Sequence, residues 1–325
     1  MKKIFILCSL LLVLNTGCNG GQTSPENDTT FVGTHGFLAV KGTALVDKNG
    51  EPIVLRGVSF GWHNWWARFY NAQTVATLKN DWKANVVRAA IGVEPNGALL
   101  NNPALAYQCM MTVADAAIDN DMYVIIDFHA HNINLDAAKS FFTQTAARYK
   151  NSPNVIYEIY NEPDYETWAE VKSYSVEIIK TIREIAPKSV IIVGSPHWDQ
   201  DVDVAAADPI LNYENLMYSL HFYAATHKQD LRTRAENALK TGLPIFVSEC
   251  AGMEASGDGA INIDEWNAWV NFMEERKLSY AMWSISNKAE TCSMIKDEQS
   301  PISDWTESDL KEWGKIARNL LRGKN

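Results

Sequence analysis

From residue 53 onward the chain alternates between two hydrophobic rhythms. Short apolar runs of four to eight residues recur at 53–58, 84–91, 122–127, 155–160, 189–193, 216–220, 244–247 and 280–283. Rich in Val, Ile, Tyr and Trp, they favour extended backbone. Several lack strict polar alternation, the pattern of strands covered on both faces. Between them apolar residues fall at helical spacing: Trp168, Val171, Ile178, Ile182 and Ile185 share one face, and 136–149 and 262–276 behave alike. Only 198–209, after the fifth run, is weakly helical. Eight strand-then-helix units predict an α/β fold, a closed (β/α)8 TIM barrel. An open doubly wound sheet is the alternative, but no GxGxxG loop follows the first run. Upstream, FLAVKGTALVDKNGEPIVLRGVSF reads as a short N-terminal β-hairpin turning at Asn49-Gly50.

In such a barrel the C-terminal strand ends share one face, where chemistry collects. The second strand brings Arg88, and the third brings Asp127-Phe128-His129. The fourth brings Asn161-Glu162-Pro163, the sixth His221-Phe222-Tyr223 and the seventh Ser248-Glu249. The eighth brings Trp283, with Asn287-Lys288-Ala289-Glu290 beyond it. Singly, each has a structural reading: an Arg is usually an ion-pair donor, a lone His or Trp a core residue, a Glu before Pro a helix cap. Jointly they are costly to bury without a purpose. Two carboxyls on the fourth and seventh strands suit glycosidic hydrolysis, in which one group donates a proton and the other attacks or activates water. A separation of roughly 5–5.5 Å would mean retention through a covalent intermediate. Pro163 restricts Glu162 to extended backbone, which helps aim its carboxyl.

Composition narrows the partners. The 325 residues are 46% hydrophobic and 21% charged, with net charge −10 and no basic stripe, so nucleic acid is not an expected partner. Of 11 Trp, Trp62, Trp65 and Trp66 cluster after the first strand, while Trp82, Trp266, Trp269, Trp305 and Trp313 lie in helical stretches and read as core. Lys2 and Lys3 precede an apolar run, 4–14, too short to span a bilayer. It ends in Asn15-Thr16-Gly17-Cys18, so residues 1–17 read as a lipoprotein signal peptide and Cys18 as the lipidated residue. The expected location is an exported protein anchored to a membrane through Cys18, with plain secretion the alternative. Residues 18–34, rich in Gly, Ser, Thr and Asn, read as a flexible tether, and 35–323 as one catalytic domain. Cys109, Cys250 and Cys292 cannot all pair, and no Cys/His spacing suggests structural zinc. No cofactor or metal is expected, and a monomer is. The rival reading is a metal-dependent, amidohydrolase-like barrel using His129, His131 and His221.

The stretches IYEIYNEP, SLHFYA, FVSE and WSISNKAE resemble glycoside hydrolase family 5, the clan A retaining glycosidases, and in particular the bacterial endo-β-1,4-glucanases. The likeness covers about residues 36–318. It implies that Glu162 is the general acid/base, with Asn161 beside it to bind the sugar 2-hydroxyl. Glu249 would be the nucleophile, held by Tyr223 and by Arg88, which would keep its pKa low. His129 and His221 would line the cleaving subsite. Trp283 and Trp65 would be stacking platforms, with Trp62 a weaker candidate, and Lys288 and Glu290 would reach sugar hydroxyls. The chain departs from the family where Cys250-Ala251 replaces the usual Trp-Gly, where Gly61 replaces a common His that His63 could stand in for, and where Gly92 replaces a common Tyr. A disulfide between Cys250 and Cys292 stays open. The expected substrate is β-1,4-glucan, then mixed-linkage glucan, xyloglucan and mannan. A non-catalytic sugar-binding lipoprotein is the other alternative.

Overall fold

All eight apolar runs form strands, and several reach further toward their C-terminal ends than apolarity alone suggests. After a hairpin of β1 (Ala39–Lys41) and β2 (Ala44–Val46), the barrel strands are β3 (Arg56–Phe60), β4 (Val86–Gly92), β5 (Tyr123–His129) and β6 (Val155–Glu158). They continue with β7 (Ile191–Val193), β8 (Leu216–Tyr223), β9 (Ile245–Ala251) and β10 (Tyr280–Ile285). Each pairs in parallel with the next in chain order, and β10 closes on β3. The runs end late in β8 and β9 because His221, Tyr223 and Glu249 lie within the ladder. This computed structural model describes Met1 and residues 29–325, so Cys18 and the readings on 2–28 lie outside the described residues.

Helices cover the outer face. The helix Trp168–Ile185 starts with a capping box between Thr167 and Glu170 and buries Trp168, Val171, Ile178 and Ile182, the stripe its periodicity predicts. The predicted helices at 136–149 and 262–276 appear as Leu135–Tyr149 and Ile263–Glu275. The weakly helical stretch holds only an irregular turn, Pro196–Asp199, and the short helix Val202–Ala207. Among the described residues no helix is long and apolar enough to cross a membrane.

Two expectations at the N-terminal side need correction. The hairpin turns at Gly42-Thr43, where Gly42 has φ +61°, and not at Asn49-Gly50. Asn49-Gly50 makes a second turn, its Asn49 and Glu51 amides donating to the Asp47 carboxylate, and leads into one isolated bridge, Val46 to Pro52. Residues 31–34, read as tether, belong to the helix Phe31–His35; the Phe31 and Val32 amides donate to Asp121 at 2.5 and 2.7 Å. That helix and the hairpin floor the barrel: Val32, Leu38, Leu45, Ile53 and Leu55 pack on Val86, Tyr123, Ile125, Ile156, Ile192, Met217 and Phe246.

Candidate active site

Strand periodicity carries that apolar floor upward into polar layers. Two residues beyond Val86, Ile125 and Ile156 on the same strand faces stand Arg88, Asp127 and Glu158. Arg88 is fully buried and is the hub. Its guanidinium donates to Glu158 at 2.6 Å, Glu249 at 3.1 Å, Asn161 at 2.6 Å and Ser59 at 3.3 Å, and pairs with Asp127 at 2.9 Å. The planar fork of arginine suits this many acceptors, which a lysine could not reach together.

Above the hub stand the two glutamates. Glu249 accepts from Arg88 and, at 2.7 Å, from the Tyr223 hydroxyl. Glu162 Oε1 lies 2.9 Å from His221 Nδ1, and its Oε2 lies 3.7 Å from His131 Nδ1. Ligand atoms of Glu162, His221 and Glu249 all lie within 4.8 Å of one another. The Asn161 carbonyl is taken by Arg88, which leaves its Nδ2 without a protein partner.

The charges interlock. Burial works against the Arg88 cation, but Asp127, Glu158 and Glu249 more than restore it, so its pKa rises. Burial also opposes the Glu158 carboxylate, yet Arg88 and His221 bring it down to about 2. Asp127 goes the other way: burial, with Glu158 and Glu249 beside it, raises it well above the carboxylate range. His129, 2.6 Å from Asp127, is held neutral by burial and by Arg88. His221 is the reverse; burial is outweighed by Asp199, Glu158, Glu162 and Glu249, and its pKa rises well above 6.5. Burial raises Glu162, but the His221 hydrogen bond and charge bring it below the ordinary value. Glu249 is raised, by burial and by Glu162, against the pull of His221, Arg88 and Tyr223. The Arg88 contribution thus has the expected sign but does not set the net direction.

The cleft has two lobes meeting at Glu162. One, of about 240 Å³, is lined by Trp62, Trp65, Trp66, Trp283, Lys288 and Glu290. The other, of about 490 Å³, is bounded by Trp198, Gln200, His221 and His227. Both include His131, Glu162 and Tyr223. Trp283 stacks on His129 with ring planes 1° apart, and Trp65 is 54% exposed, free to meet a ligand face. Lys288 and Glu290 pair with each other at the rim. The sequence model described as Cellulase (glycosyl hydrolase family 5) matches residues 46–289. Endoglucanase Z of Dickeya dadantii is 46% identical over 326 residues, covering 99% of this chain and 72% of that protein.

The chain belongs to glycosyl hydrolase family 5.

The endoglucanase of Clostridium saccharobutylicum is 39% identical over 332 residues, covering all of this chain and 73% of that one. A solved structure from Cytophaga hutchinsonii superposes with a TM-score of 0.89 at 43% identity, covering 91% of this chain and 97% of that one. The Thermobifida fusca endoglucanase Cel5A catalytic domain, solved in complex with cellotetraose, superposes at 0.85 with 32% identity, covering 90% and 99%.

Within this family 5 site the structure brings together Arg88, His129, Asn161, Glu162, His221, Tyr223, Glu249 and Trp283. His63 is the exception. It is fully buried, its Nδ1 accepts the Gly92 amide at 3.0 Å, and burial lowers its pKa to about 4, so it supports the rim from behind and does not line the cleft. Trp62 and Trp66 fill the space that the departures open. A Cβ on Gly92 would stand 2.7 Å from the Trp62 ring, and one on Gly61 would stand 2.9 Å from the Trp66 ring. Cys250 and Cys292 are buried free thiols, not a disulfide. The five Trp read as core are buried.

Sequence reasoning passed over Glu158, Asp199 and Glu94, and read His131 only as a metal ligand of the rival barrel. A carboxylate inside the apolar run VIYE was the available signal for Glu158. Glu94 accepts from the His131 and Asn132 amides and from the Asn134 side chain, which pins the loop carrying His131. The proposed His-x-His chelate does not converge: His129 Nδ1 faces Asp127, while His131 stacks on Trp62 and faces Glu162. Glu162, His221 and Glu249 are close enough to chelate, but each is engaged in the hydrogen bonds described.

Proposed function

We propose that this family 5 enzyme cleaves internal β-1,4-glucosidic bonds of β-glucans with retention. The observation that carries the reading is the pair of glutamates with one carboxyl oxygen of each within 4.8 Å of the other, which fits the roughly 5–5.5 Å between the carboxyl groups of a retaining pair. Glu249, fixed by Arg88 and Tyr223, attacks the anomeric carbon as Glu162 gives its proton to the leaving oxygen. Glu162, then a carboxylate, takes a proton from the water that breaks the Glu249 ester. The free Nδ2 of Asn161 is the donor for the sugar 2-hydroxyl. Trp283 and Trp65 offer flat faces to the pyranose rings, with Trp62 and Trp66 beside them. Lys288 and Glu290 present charge to the hydroxyl edges.

A cleft continuing on both sides of Glu162 lets a chain lie through it, which supports endo action. Among substrates β-1,4-glucan comes first, ahead of mixed-linkage glucan, a reading supported by the family description as cellulase and by the cellotetraose bound to the Thermobifida fusca relative. On a soluble cellulose derivative, viscosity should fall well before reducing ends accumulate. Absence of reducing-end release from every soluble β-glucan tested would overturn the reading. Export and lipid anchoring through Cys18 are further proposals, supported by the lysines, apolar run and cysteine of the first residues. Radiolabelled fatty acid should enter the unsubstituted protein and not Cys18→Ala; equal labelling would refute the anchor.

A further inference from the structure

His221 lies among three carboxyl groups and a serine hydroxyl that can accept from it. Its Nδ1 faces Glu162 Oε1 at 2.9 Å and Asp199 Oδ2 at 3.4 Å. Its Nε2 faces Ser248 Oγ at 3.0 Å and Glu158 Oε1 at 3.7 Å. Only an imidazolium offers an N–H on both sides. The charged groups that bear on the ring are Asp127 and His129 from β5, Glu158 from β6, Glu162 just beyond it, Glu249 from β9 and His227 after β8. Most already have other work: Arg88 engages Glu158 and Glu249, and Glu162 opens on the cleft.

Asp199 does not. It is fully buried, its Oδ1 accepts the Ser195 amide at 2.5 Å, and its Oδ2 has no hydrogen-bond partner. It sits where three consecutive non-glycine residues, His197, Trp198 and Asp199, have φ of 62°, 54° and 57°. That left-handed run is costly for L-residues, and such cost persists where the surroundings enforce it, often at functional sites. The turn is tied to the acid/base segment itself, the Trp198 amide donating to the Pro163 carbonyl at 2.8 Å.

We propose that Asp199 is a positioning residue that keeps His221 doubly protonated, so that the imidazolium occupies Glu162 Oε1 and leaves the acid proton on Oε2, the oxygen toward the cleft. A neutral His221 with its proton on Nε2 would present a bare Nδ1, which draws the catalytic proton away from the leaving group. The direction of the His221 shift, for which Asp199 is the largest favourable cause, agrees with this arrangement. The inference rests on Glu162 being the acid/base.

The test is Asp199→Asn, which keeps the shape and removes the charge. With cellotetraose, the alkaline limb of kcat/KM should move acidward by about one pH unit or more, the effect of losing a facing charge. With a dinitrophenyl β-cellobioside, whose leaving group needs no proton, the rate should stay near that of the unsubstituted enzyme. In ¹⁵N-histidine spectra of the unsubstituted protein at pH 7, His221, assigned by its absence in His221→Gln, should carry protons on both nitrogens. In Asp199→Asn it should titrate to the neutral form. An unchanged alkaline limb in folded Asp199→Asn overturns the proposal. So does a neutral His221 in the unsubstituted protein, a measurement that stands even if Asp199→Asn fails to fold. Glu162→Gln separates the two levels: if it turns over cellotetraose normally, the acid/base reading itself fails. If it is inactive while Asp199→Asn is unshifted, only this inference fails.

Discussion

Arg88 shows how much one side chain can be asked to do. It is fully buried among three acidic side chains that it pairs with, Asp127, Glu158 and Glu249, and its five donors are spread over strands and loop. Removing one partner of a buried ionic cluster leaves uncompensated charge, which costs about 3–5 kcal/mol. Arg88→Met should therefore lower unfolding stability by about that amount in urea titrations, besides freeing Glu249. A change under about 1 kcal/mol would mean that water or proton uptake compensates the cluster, and would contradict the dry hub described here. Arg88, Glu162 and Glu249 were legible as residues because an ion at the end of an apolar run has few bland explanations. Their partners were not all legible. Asp199 lies in the one weakly helical stretch, and only the fold of that turn carries it to His221.

At the scale of elements, the loop after β3 explains how the chain departs from its family and keeps a walled cleft. Gly92 ends β4 directly beneath the Trp62 ring, which itself stacks on His131 with planes 11° apart. Gly92→Ala should push Trp62 off this wall, because the added carbon would meet its ring at 2.7 Å and the Asn64 amide oxygen at 2.8 Å. KM should rise about three- to tenfold, the worth of one aromatic contact, with kcat little changed. A fall in kcat at constant KM would instead place Trp62 at the reacting atoms. The elements themselves were readable because strand and helix differ in hydrophobic period. The hairpin turn was misplaced because Asn49-Gly50 is a genuine turn, and sequence alone did not say that Gly42-Thr43 closes the ladder first.

For the molecule as a whole, buried histidines couple the site to acid stability. His63 accepts the Gly92 amide and His227 the Tyr223 amide, each through Nδ1, and burial lowers both to about 4. The unfolded chain binds these protons near pH 6.5, so their stability contribution is complete above that value and drains away as pH falls toward 4. For fully buried His63 the limit is about 3 kcal/mol. Thermal unfolding should show Tm falling through that window, with a shallower fall in His63→Asn; identical slopes would remove His63 from the account. A sequence shows that a histidine is present but not which ring is sealed beneath a rim, so this coupling was not readable in advance. The (β/α)8 topology was, since eight repeats of one period leave few other ways to bury both faces of every strand.

The central claim is that Glu249 bonds to sugar while Glu162 moves the proton. A 2-deoxy-2-fluoro-β-cellobiosyl fluoride, whose fluoride leaves readily but whose ester hydrolyses slowly, tests it directly by peptide mass spectrometry. The account predicts one glycosyl group per chain, on the peptide carrying Glu249. An adduct on Glu162, or an active enzyme that forms no adduct and first releases the α-anomer from a β-glucan, would contradict it.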